Sequence, residues 1–339
     1  MLFSGHGKLA GTISGGCLER EVMRTGAWLA QNGAVLRIFD ARRDDDGESA
    51  FRSGCNGKVQ LLIEPATDAV RASLALVTSE LASQRPVAVA TVFATGSLPT
   101  RLGAQLVCGS AGILTSAPDA ALAGELGTNL LALLGPKASR NVQQRRGSFE
   151  ALLEIIEPAP HVSVFGTGED AVPVARLAGQ LGWHVTVRAQ HGGFAGRDRF
   201  SGVAALEVAS VPQSVERLST YARALAVVMT HDYLQDRETL AALLASNARY
   251  IGMLGPARRT QRMLAELQAE RAFSAERLAC IYGPAGLHLG ADTPQAIALS
   301  IVAELQAVLA EADAGFLRNL SLGIHERPQP LRLLTAEGA

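Results

Sequence analysis

The chain has 339 residues, enough for about two ordinary domains. Aromatics are only 5% and the formal net charge is −1, which excludes a base-stacking platform and a basic footprint for nucleic acid or an anionic membrane. No apolar run could span a bilayer, MLFSGHGK lacks a signal peptide's regions, and four cysteines (Cys17, Cys55, Cys108, Cys280) stand without CxxC spacing, so a reduced cytoplasmic protein is expected.

In chain order, KLAGTIS (8–14) reads as a strand and LEREVMRTGAWLAQ (18–31) as a helix with Leu18, Val22, Trp28 and Leu29 on its apolar side. Asn32–Gly33 is a helix stop. AVLRIFDA (34–41) and KVQLLIEP (58–65) are strands around a solvated acidic loop, and residues 67–83 form an amphipathic helix. PVAVATVFA (86–94) and GAQLVCG (103–109) are two more strands. The stretch 103–126 loosely echoes 1–22: strand, small-residue hairpin, strand, helix. The later copy is preceded by a full strand and loop. The earlier copy starts at Met1, and the echo predicts a missing N-terminal strand there.

Residues 136–150 are polar and basic and read as part of a linker over 136–157, separating a first domain (1–135) from a second (158–312), with a tail over 313–339. The second domain opens with strand, glycine turn, helix and strand over 161–190. Strands at 224–232, 250–255 and 277–282 alternate with helices at 238–247, 258–270 and 293–312, the last with Thr293 as N-cap and Pro294 in its first turn. That alternation predicts a doubly wound parallel sheet of Rossmann type.

Five segments carry chemistry. GTGEDA (166–171) puts Gly166 and Gly168 on a strand-to-helix turn, where backbone N–H groups and the helix dipole suit a phosphate. An NAD site also needs an acid after the second strand, and that place reads Arg188–Ala189–Gln190. A Rossmann fold without NAD is therefore favoured. The rival is an NAD(P)-dependent oxidoreductase in which Arg188 meets a 2′-phosphate. SGGCLE (14–19) sets Ser14, Gly15, Gly16 and Cys17 where a helix begins, a position that lowers a thiol's pKa and suits a nucleophile or soft-metal ligand. The alternative is a small core residue. Cys55 in GCNG is also glycine-flanked, whereas Cys108 and Cys280 read as core. Thr230, His231 and Asp232 follow a parallel strand, where ligands of open sheets bind, with a plain solvated loop as the alternative. GPAGLHLGADTP (283–294) is either another wall of that crevice or a long turn.

Together GTISGGCLE (11–19), SGCNGKVQLLIEP (53–65), the glycine-turn segment 164–187, THD (230–232), YIGMLG (250–255) and residues 286–305 resemble, in order, the XdhC/CoxI family of xanthine dehydrogenase accessory factors. The resemblance implies an N-terminal mixed α/β XdhC/CoxI domain and a C-terminal Rossmann-like domain. It implies a factor, not an enzyme, that binds molybdenum cofactor (molybdopterin) and acts as its chaperone. Such a factor assists sulfuration with a cysteine desulfurase and delivers the cofactor to a xanthine dehydrogenase-like molybdenum hydroxylase, often as a homodimer. Carried onto this chain, Ser14–Cys17, Cys55, Gly166, Gly168 and Thr230–Asp232 form the cofactor site, with Cys17 as a molybdenum or sulfur contact. The chain departs from the family pattern at Glu169 (histidine), Ala171 (glycine) and Ala189 (aspartate), and at the absent leading strand.

Overall fold

The computed structural model describes residues 1–13, 17–40, 58–95, 101–110, 112–116, 120–134, 141–146, 149–190, 197–200, 202 and 205–319. Two units divide after Glu157. The first begins with a hairpin, β1 (Leu2–Ser4) and β2 (Gly7–Ala10), then α1 (Cys17–Leu29). A second antiparallel pair follows, β3 (Val35–Asp40) and β4 (Lys58–Ile63). Helix α2 (Asp68–Ala82) is N-capped by the Thr67 hydroxyl and leads to β5 (Val87–Ala94). Next come β6 (Gln105–Gly109), β7 (Gly112–Thr115), α3 (Ala120–Leu133), β8 (Asn141–Arg146) and β9 (Phe149–Ile156). The last five strands make one antiparallel sheet in the order β7-β6-β5-β9-β8.

Residues 141–146 and 149–156, expected within a linker, are thus strands of the first unit's sheet. Phe149, Ala151 and Leu153 alternate inward along β9, which pairs with the central β5, and the polar run 141–146 is tolerated because β8 is an edge strand. On α1, Leu18 and Val22 are buried as expected, but Trp28 is exposed. Cys108 is core, whereas Cys280 is only half-buried beside the two-residue edge strand it precedes.

The second unit runs β10 (His161–Phe165), α4 (Ala171–Gln180), β11 (His184–Ala189), β12 (Ala205–Val208), α5 (Val211–Leu218), β13 (Ala224–Val228) and α6 (Tyr233–Leu244). It continues with β14 (Tyr250–Met253), α7 (Ala257–Glu270), α8 (Ala275–Leu278), β15 (Ile281–Tyr282) and α9 (Pro294–Ala310). All six strands are parallel, in the order β12-β11-β10-β13-β14-β15. Relabelled in sequence order this is 3-2-1-4-5-6, the doubly wound arrangement, with its switch point between β10 and β13. The apolar runs HVSVF and ALAVV are buried throughout because helices cover both sheet faces. Among the described residues no helix is long and apolar enough to cross a membrane.

At the start of β10, His161 is buried and stacked on Tyr221, with ring centroids 3.6 Å apart. Neither ring nitrogen meets a protein partner, and burial, then Arg188 and His184, pushes its pKa down from 6.5 to about 3. Unfolded, this histidine takes up a proton near pH 6.5, so between about 6.5 and 3 the unfolded state binds more protons and stability falls as pH falls. His161→Phe, which keeps the stack, is expected to lessen that loss; urea midpoints at pH 7.5 and 5 for both proteins measure it.

Candidate functional site

At the switch point, where sheets of this order place a ligand crevice, β10 and β13 run side by side and their exit loops meet. Gly166 leaves β10 with φ +133°, and a Cβ there would collide with the carbonyl oxygen of Met229. Only glycine admits this approach. Gly168 faces the other loop: a Cβ there would sit 2.5 Å from Asp170 Oδ1 and 3.6 Å from His231 Nε2. Gly166, Gly168, Thr230 and His231 are therefore brought together, as the strand-end argument predicts.

The glycine turn is fitted to a histidine–carboxylate pair. Asp170 stands at the N-cap of α4 but makes no side-chain cap bond; its Oδ2 lies 2.8 Å from His231 Nε2. His231 reaches it from a left-handed backbone (φ +64°), a strained state for a side chain of its size. A phosphate at Gly168 would have to displace this carboxylate. Glu169 points outward to Arg199, 2.9 Å away, and Arg199 also donates to the Thr167 carbonyl. Ala171 fills the third turn position and is fully buried against the sheet.

The other two residues of THD build the corner. Asp232 caps α6, accepting from the Gln235 N–H at 2.8 Å. Thr230 donates to Asp236 Oδ1 through its backbone N–H (3.2 Å) and hydroxyl (2.5 Å). Asp236 is fully buried, and its second oxygen takes Arg259 at 2.5 Å. Thr230–Asp232 is thus an anchored corner whose His231 and Asp232 remain exposed to solvent.

Arg188 is not at the crevice mouth as the NADP reading requires. It is buried, donates to Ser163 Oγ at 2.9 Å and pairs with Glu207. Burial pulls its pKa down and the Glu207 carboxylate opposes that shift. Its Nε and one terminal nitrogen are committed to Ser163 and Glu207, which draws this guanidinium away from a 2′-phosphate. The 283–294 segment is pinned from α9. Glu304 accepts from the Gly286 N–H (2.8 Å) and from Tyr250 Oη (2.5 Å), while Ser300 donates to the Leu287 carbonyl. Burial first, then Glu304, holds the Tyr250 phenol protonated.

Cys17 opens α1; its side chain, Ser14–Gly16 and Cys55 lie outside the described residues. Among the described residues no group of three His, Cys, Asp or Glu could hold a metal ion. Sequence reading missed Asp170, Asp236 and Glu304. Only Asp170 carried a signal, as the residue before a helix opening on a glycine turn. Asp236→Ala would leave Arg259 without its carboxylate and Thr230 without its acceptor. We expect a loss of about 3 kcal/mol, read as a lower urea midpoint for the second unit, and little change for Glu238→Ala on the same helix.

Residues 162–305 match the XdhC Rossmann domain, and residues 1–40 match the XdhC and CoxI family. The chain is 30% identical over 306 residues, 90% of its length and 86% of the relative's, to a probable xanthine dehydrogenase subunit of Bacillus subtilis (strain 168). It is 26% identical over 194 residues to the uncharacterized protein YqeB of Escherichia coli (strain K12), covering 57% of this chain and 34% of that one. A crystal structure of a xanthine dehydrogenase from Bacillus halodurans superposes with a TM-score of 0.72 at 23% identity, covering 91% of this chain and 85% of that one, and so shares the fold. With its parallel sheet, its glycine turn and a relative matched along nearly its whole length, the chain belongs to the XdhC and CoxI family.

Proposed function

We propose that this protein is an accessory factor for a molybdenum hydroxylase of the xanthine dehydrogenase type. It binds molybdenum cofactor in the cytoplasm, supports its sulfuration with a cysteine desulfurase and hands it to the hydroxylase, acting as a homodimer and without turnover chemistry of its own. The observation that carries this reading is the 30% identity, over 90% of the chain, to a probable xanthine dehydrogenase subunit. The crevice is compatible with a carrier, because Thr230, Asp236 and Arg259 are spent on bracing one another.

The cofactor is the cargo here, and its chemistry can be set against the residues. A pterin presents an amino group and a ring N–H side by side, both donors, which a carboxylate accepts as a pair. Asp170, held by His231 beside Gly168, supplies such an acceptor. The Asp170 carboxylate suits this edge of the cargo better than it suits a phosphate. Gly166 lets the two loops meet at backbone contact, and Gly168 leaves the room that the Asp170 carboxylate occupies. Cys17, in the first turn of α1, is assigned to molybdenum or the transferred sulfur, with Cys55 as its companion; both assignments rest on residue type and sequence setting.

Anaerobic purification from a cofactor-producing host, followed by molybdenum analysis and pterin fluorescence after oxidation, tests the reading. Molybdenum and pterin should co-purify near one per chain. Asp170→Ala, with its fold verified by circular dichroism, should retain at least about tenfold less, the loss of the carboxylate that accepts the paired donors. Absence of both molybdenum and pterin from the unaltered protein would overturn the proposal.

A further inference from the structure

A cavity of about 300 Å³ lies in the first unit and shares no residue with the corner at the switch point. Three connections wall it: the turn after α1 (Asn32–Ala34), the exit of β4 into α2, and the loop entering β6 (Arg101–Ala104). They can meet because Gly103 has φ +81° and no side chain. A Cβ there would lie 3.0 Å from both the Ala34 Cβ and Glu64 Oε2. The glycine therefore lets this loop close onto the Glu64 carboxylate.

Glu64 is half-buried. Among the described residues its carboxylate meets one donor, Gln105 Nε2, which lies 3.5 Å from Oε1, the outer limit of a hydrogen bond. Burial alone acts on its pKa and pushes it up. A carboxylate drawn out of water is ordinarily paired with a cation or with several donors. This one faces a hollow instead, a placement that suits a ligand-binding group better than a structural one. The neighbouring hydroxyls are already used: Thr67 Oγ1 accepts the Val70 N–H, and Ser116 Oγ accepts the Gln105 N–H. Asn32 and Arg101 line the cavity, are exposed, and have no side-chain partner among the described residues. Pro65, Val70 and Leu102 add apolar wall.

We propose that this cavity binds a phosphate-bearing heterocycle whose opposite edge carries an amino group beside a ring N–H, the edge shared by guanine nucleotides and pterin phosphates. Glu64 accepts the two donors as a pair, the aliphatic wall covers the ring, and Arg101 takes the phosphate. Glu64 and Arg101 form no ion pair with each other, so the two charges call for a ligand with donors at one end and an anion at the other. A simple amine would leave Arg101 unanswered, and a free anion would leave Glu64 so. The cavity is at the small end of ligand pockets, as a single mononucleotide requires. The inference rests on the first unit alone and is independent of the assignment of Asp170.

Calorimetric titration of the full chain with guanosine monophosphate and with neopterin monophosphate tests the proposal and separates the two sources. One of them should bind. If it is the nucleotide, adenosine monophosphate, which offers a ring acceptor beside its amino group, should bind at least about tenfold more weakly. Glu64→Gln, with its fold verified by circular dichroism, should weaken the bound ligand at least about tenfold. Arg101→Ala should abolish the advantage of the phosphate ester over guanosine or neopterin. Binding of neither ligand at millimolar concentration, equal affinity for the guanine and adenine nucleotides, or an affinity untouched by Glu64→Gln would overturn the proposal. None of these readings depends on whether molybdenum co-purifies with the chain.

Discussion

The second unit depends on a single close approach. Gly166 passes so near the Met229 carbonyl that the space is filled by a hydrogen and nothing larger. That contact lets β10 and β13 stay in register to their last residues, since Phe165 pairs with Val228 and Met229 donates to the Phe165 carbonyl. The two loops can then part abruptly, which opens a crevice at the sheet's carboxyl edge. The left-handed turn at His231, the Asp170 pairing and the burial of Asp236 all follow from where these two backbones are forced to separate.

A buried arginine at the end of β11 shows how one fold can serve different ligands. In dinucleotide-binding relatives of this topology an acid near that point reaches the ribose. Here the guanidinium of Arg188 turns into the sheet, where Ser163 and Glu207 repay part of its desolvation. The scaffold is kept while the recognition position has been absorbed into the core, so topology alone does not name the guest.

Much of this was legible in the sequence, and the gaps have physical causes. The parallel unit was readable because fully buried strands are continuous apolar runs and the glycine turn marks the first crossover. Thr293 and Pro294 likewise announced α9, and the Thr293 hydroxyl does cap it. The 136–157 stretch misled because composition was weighed above alternation: polar NVQQRR suggested a loop, although FEALLEII behind it has the two-residue period of a half-buried strand. Asp236 could not be seen, since an acid in the first turn of a helix ordinarily faces water. Its burial depends on Thr230 and Arg259 arriving from other elements. Trp28 was assigned inward by helical spacing alone, and spacing cannot say which part of a wide apolar stripe is left uncovered.

Helix α9 lines the main core through Ala298, Ile301, Val302 and Leu305, and the same two turns hold the 283–294 loop through Ser300 and Glu304. One face is thus a wall and its flank a bracket. A drift of that helix by a fraction of a turn, from any repacking behind it, would be transmitted to the loop as a displacement. That loop therefore inherits the rigidity of the core, and sequence change deep in this unit is constrained by what the loop must hold.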